Sequence, residues 1–185
     1  MGPLLNDWIL SRMMSAQKKD DSIIYRLQNY VCDGTVNTAI NTGIYLFDTT
    51  LYPNGFHLYL DITMNDGNVV NGSFVRCRNS TSPYNGLSIR CHFDSHNKPV
   101  FNLQLNSSSY NLSSTIVRTV VEIIKTTSDG KIVLFADGVQ RITANIAAVN
   151  SPLVIGGELP NDITQQWNPS RFGKCTIHSL LITKL

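Results

Sequence analysis

The feature that most constrains this chain is a strict alternation of apolar and polar residues in several long runs. Leu58, Leu60, Ile62 and Met64 alternate with Tyr59, Asp61 and Thr63. Leu87, Ile89, Cys91 and Phe93 alternate with Ser88, Arg90 and His92, and Phe101, Leu103 and Leu105 alternate with Asn102 and Gln104. A period of two sends each apolar set to one face of an extended strand, whereas an amphipathic helix needs apolar residues every three to four positions.

Turn chemistry separates these runs. Ile116 to Lys125 reads as a long strand with apolar residues on both faces. Ser128-Asp129-Gly130 turns it into Lys131 to Ala136, and Asp137-Gly138 turns that into Val139 to Ile146. Asp-Gly between two β-branched runs is a strong hairpin signal, because glycine accepts the positive φ that a tight hairpin demands. Pro152 to Gly156 reads as a short strand and Gly173 to Thr183 as a long final one. Roughly ten or more strands of this kind predict an all-β, two-sheet antiparallel sandwich rather than a mixed fold.

The exception is the N-terminus. Pro3 sits where a first helical turn tolerates it, and Leu5, Ile9 and Met13 recur at four-residue spacing from Leu4 to Ala16. The expected organisation is a short helical arm over residues 1–21 and a β body over 22–185. Lys18-Lys19-Asp20-Asp21-Ser22 is the hinge between them. Trp8, Ile9 and Met13 form an apolar stripe that either docks on a neighbouring subunit or packs on its own domain.

A chain of 185 residues suits one domain and can bury a core without metal or disulfide. Only 15% of residues are charged, Glu122 and Glu158 are the only glutamates, and Asn, Ser and Thr number 50. The polar surface is therefore built from uncharged hydrogen-bonding groups, which suits sugar contacts. The same composition is common in virion and extracellular β proteins whatever they bind. A net charge of +2 gives no case for nucleic acid. No apolar run approaches the ~20 residues of a membrane span. Asp7 and Arg12 interrupt the N-terminal apolar run, so no signal peptide is expected and folding in a reducing cytoplasm is. Cys32, Cys77, Cys91 and Cys175 lack zinc spacing and are expected as free thiols.

The order of motifs carries a resemblance. Tyr30-Val31-Cys32-Asp33-Gly34-Thr35 followed by Asn41-Thr42-Gly43-Ile44-Tyr45-Leu46-Phe47-Asp48 resembles the opening of laminin-G-like, concanavalin A-like lectin/glucanase domains. Val121-Glu122-Ile123-Ile124, Asp129-Gly130-Lys131-Ile132, Phe135-Ala136-Asp137-Gly138 and Pro152-Leu153-Val154-Ile155-Gly156-Gly157 resemble its second half, and Arg171-Phe172-Gly173-Lys174-Cys175-Thr176-Ile177 its closing strand. Asn-Thr-Gly-Ile with Ser82-Pro83-Tyr84-Asn85-Gly86 looks most like modules of bacteriophage structural proteins. The resemblance covers about residues 22 to 185 and implies a jelly roll in a virion setting: a head or tail fibre, or a capsid decoration. The fold hosts lectins, glycosidases and adhesion modules alike, so function must come from the site.

Glycosidase chemistry needs two carboxyls about 5–9.5 Å apart across the scissile bond. The Glu-x-Asp-x-x-Glu pattern of this fold's catalytic members is missing: Glu122 is followed by Ile123 and Ile124, and Glu158 lies in a loop. A binding site is better supported. If residues 73–78 pair with 87–93, Arg78 is expected opposite Arg90, Arg76 opposite His92 and Cys77 opposite Cys91, with the three arginines and His92 on the face away from Val75 and Ile89. Like charges directly opposite are unfavourable, so an acidic glycan or phosphate, Asp61 from the preceding strand, or a partner protein must compensate, unless the face is internally paired. Tyr84 and Trp167, in polar loops, either stack on a ligand or cap their own loops. His92, Asp94 and His96 fall at alternate positions, but Asp94-Ser95-His96-Asn97 reads as a turn. No cofactor is expected; Asp33, Asp48 and Asp66 are the oxygen donors available should the rim take calcium.

The expectation is a non-enzymatic virion protein, multicopy or homo-oligomeric, in contact with other virion proteins and displaying a lectin-like module for host or mucosal glycans. The alternatives are a purely structural decoration or connector protein and a divergent glycoside hydrolase.

Overall fold

The computed structural model describes residues 22–79, 85–126, 131–145, 149–159 and 167–185. The expected helical arm with Trp8, Ile9 and Met13, the loop holding Tyr84, and the Ser128-Asp129-Gly130 turn lie outside the described residues.

The described residues form two six-stranded antiparallel sheets. The first contains β1 (Ile23–Asp33), β12 (Lys174–Lys184), β3 (Gly55–Met64), β8 (Arg118–Thr126), β9 (Lys131–Ala136) and β10 (Val139–Asn145), in that order across the sheet. The second contains β2 (Ile40–Asn41), β11 (Val154–Ile155), β4 (Ser73–Arg78), β5 (Gly86–Phe93), β6 (Pro99–Leu105) and β7 (Ser108–Asn111). Val36–Thr38 forms a single 3-10 turn, the one helical element among the described residues. The all-β sandwich expected from alternation is what the chain forms.

The inward positions make one dry layer. Phe56, Leu58, Leu60 and Ile62 of β3, Val121 and Ile123 of β8, and Leu134 of β9 are fully buried from the first sheet. Val75 and Cys77 of β4, Leu87, Ile89 and Cys91 of β5, and Phe101, Leu103 and Leu105 of β6 meet them from the second. Full burial of each such aliphatic or aromatic side chain contributes roughly 1.5–3 kcal/mol. Phe74 and Phe101 meet edge to face at 5.6 Å.

Bulges adjust the alternation where it would fail. The β12–β3 ladder shifts register between Ile177↔Ile62 and Ser179↔Asp61, and Asn29 of β1, on the other side of β12 at that point, takes φ 52°. This shift of phase lets Leu27 and Tyr30 of β1 both pack on the core, and Ile177 and Leu180 of β12 both enter it. The sequence-predicted hairpin between β9 and β10 is present, and Asp137 and Gly138 both take positive φ, as a two-residue turn of this kind requires.

The β4–β5 hairpin corrects the expected register. Arg78 lies opposite Gly86, Arg76 opposite Ser88 and Cys77 opposite Leu87, a slide of four residues from the expected pairing, and a bulge between Ser73 and Val75 sets Ser73 opposite Arg90. Gly86 fixes it: at φ 112°, a β-carbon there would stand 2.2 Å from the Cys77 carbonyl oxygen, so only glycine fits opposite Arg78. Because the slide is by an even number, Arg76, Cys77 and Arg78 keep their expected faces, while the bulge between Ser73 and Val75 brings Phe74 as well as Val75 into the core. Cys77 and Cys91 are not opposed, and none of the four cysteines forms a disulfide in the structure. The opposed pair is Cys32 and Cys175, on β1 and β12.

Candidate functional site

Alternation along β4, β5 and β6 sends one set of polar side chains away from the core. Cross-strand pairing then arranges them in rows. One row runs Arg76, Ser88, Gln104 and Ser109. The next runs Ser73, Arg90, Asn102 and Asn111. The outer face of the second sheet is thus a field of guanidinium, amide and hydroxyl groups over four adjacent strands.

Arg76, Arg78, Arg90 and His92, the four residues expected on these strands, all lie on this face. Arg78 donates through Nη1 to Gln104 Oε1 and through Nη2 to the Asn106 carbonyl at 2.9 Å, which ties β4 to the far side of β6. Arg90 Nε donates to Asn102 Oδ1 at 3.0 Å, and Asn102 Nδ2 donates to Asn111 Oδ1 at 2.6 Å. His92 lies on the same face, and its Nδ1 is buried without a partner. Arg76 is 6% exposed and bonds Glu158, its Nη2 3.1 Å from Oε1.

Glu158, not Asp61, compensates the arginines. Asp61 belongs to β3 of the other sheet, where Arg118 Nε and Nη2 grip its carboxylate at 2.9 and 2.8 Å. Glu158 reaches Arg76 because β11 pairs with β4, opposing Val154 to Arg76, and the chain leaves β11 just before Glu158. Sequence spacing gives no sign of that approach, since β11 is inserted between β2 and β4 from far along the chain.

The segment from Trp167 to Gly173 completes the site. Asn168 N donates to the Glu158 carbonyl at 2.9 Å, Arg171 N to Asn168 O at 3.1 Å, and Ser73 N to Arg171 O at 2.9 Å. These bonds bring Arg171 Nε to 3.9 Å from Glu158 Oε2. Trp167 lies so close to Gly157 that a β-carbon there would meet the indole at 2.9 Å, and its ring centre is 6.0 Å from that of Phe172. The indole therefore packs against its own domain on one side and stays partly exposed beside Glu158.

Arg76, Arg90 and Arg171 share one electrostatic neighbourhood. Burial pulls the Arg90 guanidinium below its usual pKa; Arg171 and Arg76 pull the same way, and Glu158 opposes them. Burial likewise depresses Arg76, with Glu158 raising it and Arg171 lowering it. The outer-face amides Asn102, Gln104 and Asn111 were not singled out from sequence, although alternation with Phe101, Leu103 and Leu105 already placed the first two on the face of Arg90.

Other chemistry finds less support. Glu122 points outward from the first sheet, with His57 Nε2 3.1 Å from its Oε2, while Glu158 lies on the outer face of the second sheet. Sheets stack about 10 Å apart, so two outward-pointing glutamates stand further apart than the about 5–9.5 Å of a glycosidase pair. Among the described residues no three His, Cys, Asp or Glu side chains gather as a metal site. Asp33 Oδ1 accepts from Thr35 and Thr38, Asp48 Oδ1 from Thr50 N and Leu51 N, and Asp94 Oδ1 from His96 N and Lys98 N. Each of these three holds its own turn.

No family model matches the chain, and no curated protein is similar to it in sequence. Solved structures share its fold. The CBM40 module of the Ruminococcus gnavus IT-sialidase, solved bound to α2,3-sialyllactose, superposes with a TM-score of 0.55 at 12% identity, over 86% of this chain and 91% of that one. The leech intramolecular trans-sialidase, complexed with 2,7-anhydro-Neu5Ac, gives 0.53 at 14% identity over 88% of this chain. The NanB sialidase of Streptococcus pneumoniae gives 0.52 at 13% identity over 87%. This chain spans only 26% of each of those two longer proteins. At such identities the likeness is one of fold: the chain is a two-sheet β-sandwich of jelly-roll type.

Proposed function

We propose that this protein is a non-catalytic glycan-binding module whose binding surface is the outer face of β4, β5 and β6 with Trp167 at its margin. The observation that carries the reading is the pair of cross-strand rows, in which side-chain amides, hydroxyls and guanidinium groups line the side of β4–β6 away from the core; Ser73, Arg76, Ser88, Asn102 and Gln104 form its buried floor, and Arg90, Ser109 and Asn111 are its more exposed members. Sugar hydroxyls are recognised by such planar donors and acceptors, and a partly exposed indole offers a flat apolar surface for a pyranose ring. The CBM40 module bound to α2,3-sialyllactose supports the reading by showing the same sandwich at nearly full length in a carbohydrate-binding role.

The test is a glycan array probed with multimerised protein, since a shallow face binds weakly and avidity multiplies weak contacts. Retention of defined glycans, reduced at least about tenfold by Trp167→Ala, is expected; that loss corresponds to about 1.4 kcal/mol. A blank array with correctly folded multimer overturns the reading.

We further propose that the module is carried in many copies on a bacteriophage particle, in contact with other virion proteins. The motif order around Asn41-Thr42-Gly43-Ile44 supports this setting. Mass spectrometry of purified particles from the host that makes the protein tests it; particles devoid of the chain would refute it.

A further inference from the structure

We infer that Arg76, Arg90 and Arg171 form a subsite for an anionic substituent of a glycan, a carboxylate or a sulfate; this rests on the glycan-binding reading and adds the substrate class. Among the described residues two guanidinium groups, of Arg76 and Arg171, meet the Glu158 carboxylate, and a third, of Arg90, stands on the same face. Glu158 is 3.1 Å from Arg76 and 3.9 Å from Arg171, and Arg90 lies opposite Ser73, whose backbone N–H donates to the Arg171 carbonyl at 2.9 Å. Among the described residues, one carboxylate faces three guanidinium groups at a place where burial makes uncompensated charge costly.

Hydrogen bonding gives an independent sign. Ser88 is opposite Arg76 and Ser73 is opposite Arg90, both on or bordering the arginine face. Both residues are almost wholly shut off from solvent, at 0% and 1% exposed, yet neither hydroxyl oxygen has a hydrogen-bond partner. Nearly all buried polar groups are satisfied in folded proteins. Two orphaned hydroxyls therefore lie beside the arginine cluster with hydrogen-bonding capacity unused. A guanidinium presents its donors as a planar fork that matches the oxygens of a carboxylate or sulfate. Arg90 is pre-set for this: Asn102 holds its Nε at 3.0 Å, and Asn111 holds Asn102 in turn. Arg171, only half-buried, is the entry side of the subsite.

The experiment is an NMR titration of the full chain, following the arginine Nε–H signals. The probes are D-galacturonate, D-galactose 6-sulfate and their shared neutral parent D-galactose. The expected result is a saturable shift of the Arg76, Arg90 and Arg171 signals with at least one of the acidic sugars, with apparent affinity at least tenfold above that for galactose. The carboxylate and sulfate arms decide which oxyanion is preferred. Arg90→Met should abolish the preference, and Arg171→Met, at a half-exposed position where folding is secure, should weaken it several-fold. Equal response to galactose and both acidic sugars would overturn the subsite while leaving the glycan reading intact. So would a glycan array that retains only neutral glycans. Silence of all three probes together with a blank array would remove both.

Discussion

Arg76 Nη2 stands 3.1 Å from Glu158 Oε1, and the two side chains are 7% and 15% exposed. The bond joins β4 to the chain leaving β11, so it links the binding face to the loop that carries Trp167. Removing one partner of a largely buried pair strands the other charge, at a cost of about 3 kcal/mol. Glu158→Gln should lower the urea midpoint by a corresponding amount, and Arg76→Met in the same chain should recover much of the loss. Additive destabilisation in that double-mutant cycle would show that the pair is not coupled.

Gly86 decides how β4 meets β5. A β-carbon at this position would stand 2.2 Å from the Cys77 carbonyl oxygen, with φ at 112°. Gly86→Ala should therefore destabilise the fold by more than about 2 kcal/mol, through both strain and a forced backbone shift. Denaturant titration measures this directly. A loss of a few tenths of a kcal/mol would mean that the hairpin can adopt another register.

The Arg118 hydrogen bonds hold the Asp61 carboxyl below its ordinary pKa. A depressed folded-state pKa stabilises the fold at pH above the unfolded value of about 3.9, and that contribution is lost as pH falls through the lower folded value. The difference in stability between wild type and Asp61→Asn should accordingly be largest near neutrality and shrink below about pH 4. Thermal melts across pH 2 to 7 test it. Asp33 and Asp94 are depressed by hydrogen bonds as well, so the wild-type curve alone is not diagnostic. A difference that grows on acidification would contradict the assignment.

Cys32 and Cys175 are directly opposed on neighbouring strands, and the hydrogen bond between the two thiols lowers the pKa of Cys32 and raises that of Cys175. Directly opposed Cα atoms lie within the span of a disulfide. Mild oxidation should bond this pair and leave Cys77 and Cys91 reduced, Cys91 being further protected because burial pushes its thiol up to about 11. Closing so long a loop should add about 2–4 kcal/mol of stability. Peptide mapping after alkylation identifies the bond; a Cys77–Cys91 bridge would refute the arrangement.

What was legible in the sequence was the face of each side chain; what was not was its partner. Period two placed Arg76, Arg78, Arg90 and His92 away from the core, and an even slide of register kept them there. The slide itself came from Gly86, whose close approach to the Cys77 carbonyl has no local signature. Glu158 became the partner of Arg76 only through the β2–β11–β4 order, a long-range relation that spacing along the chain does not contain. β7 escaped recognition for a different reason: Ser108 to Asn111 is exposed throughout and carries no apolar alternation.

The central claim is that one outer face binds a glycan, and backbone chemical-shift mapping with a glycan retained on the array tests it most directly. The account predicts perturbed amides on β4, β5 and β6 and from Trp167 to Gly173. Perturbations gathered instead on the opposite outer face, around Tyr59, Glu122 and Phe135 of β3, β8 and β9, would contradict it.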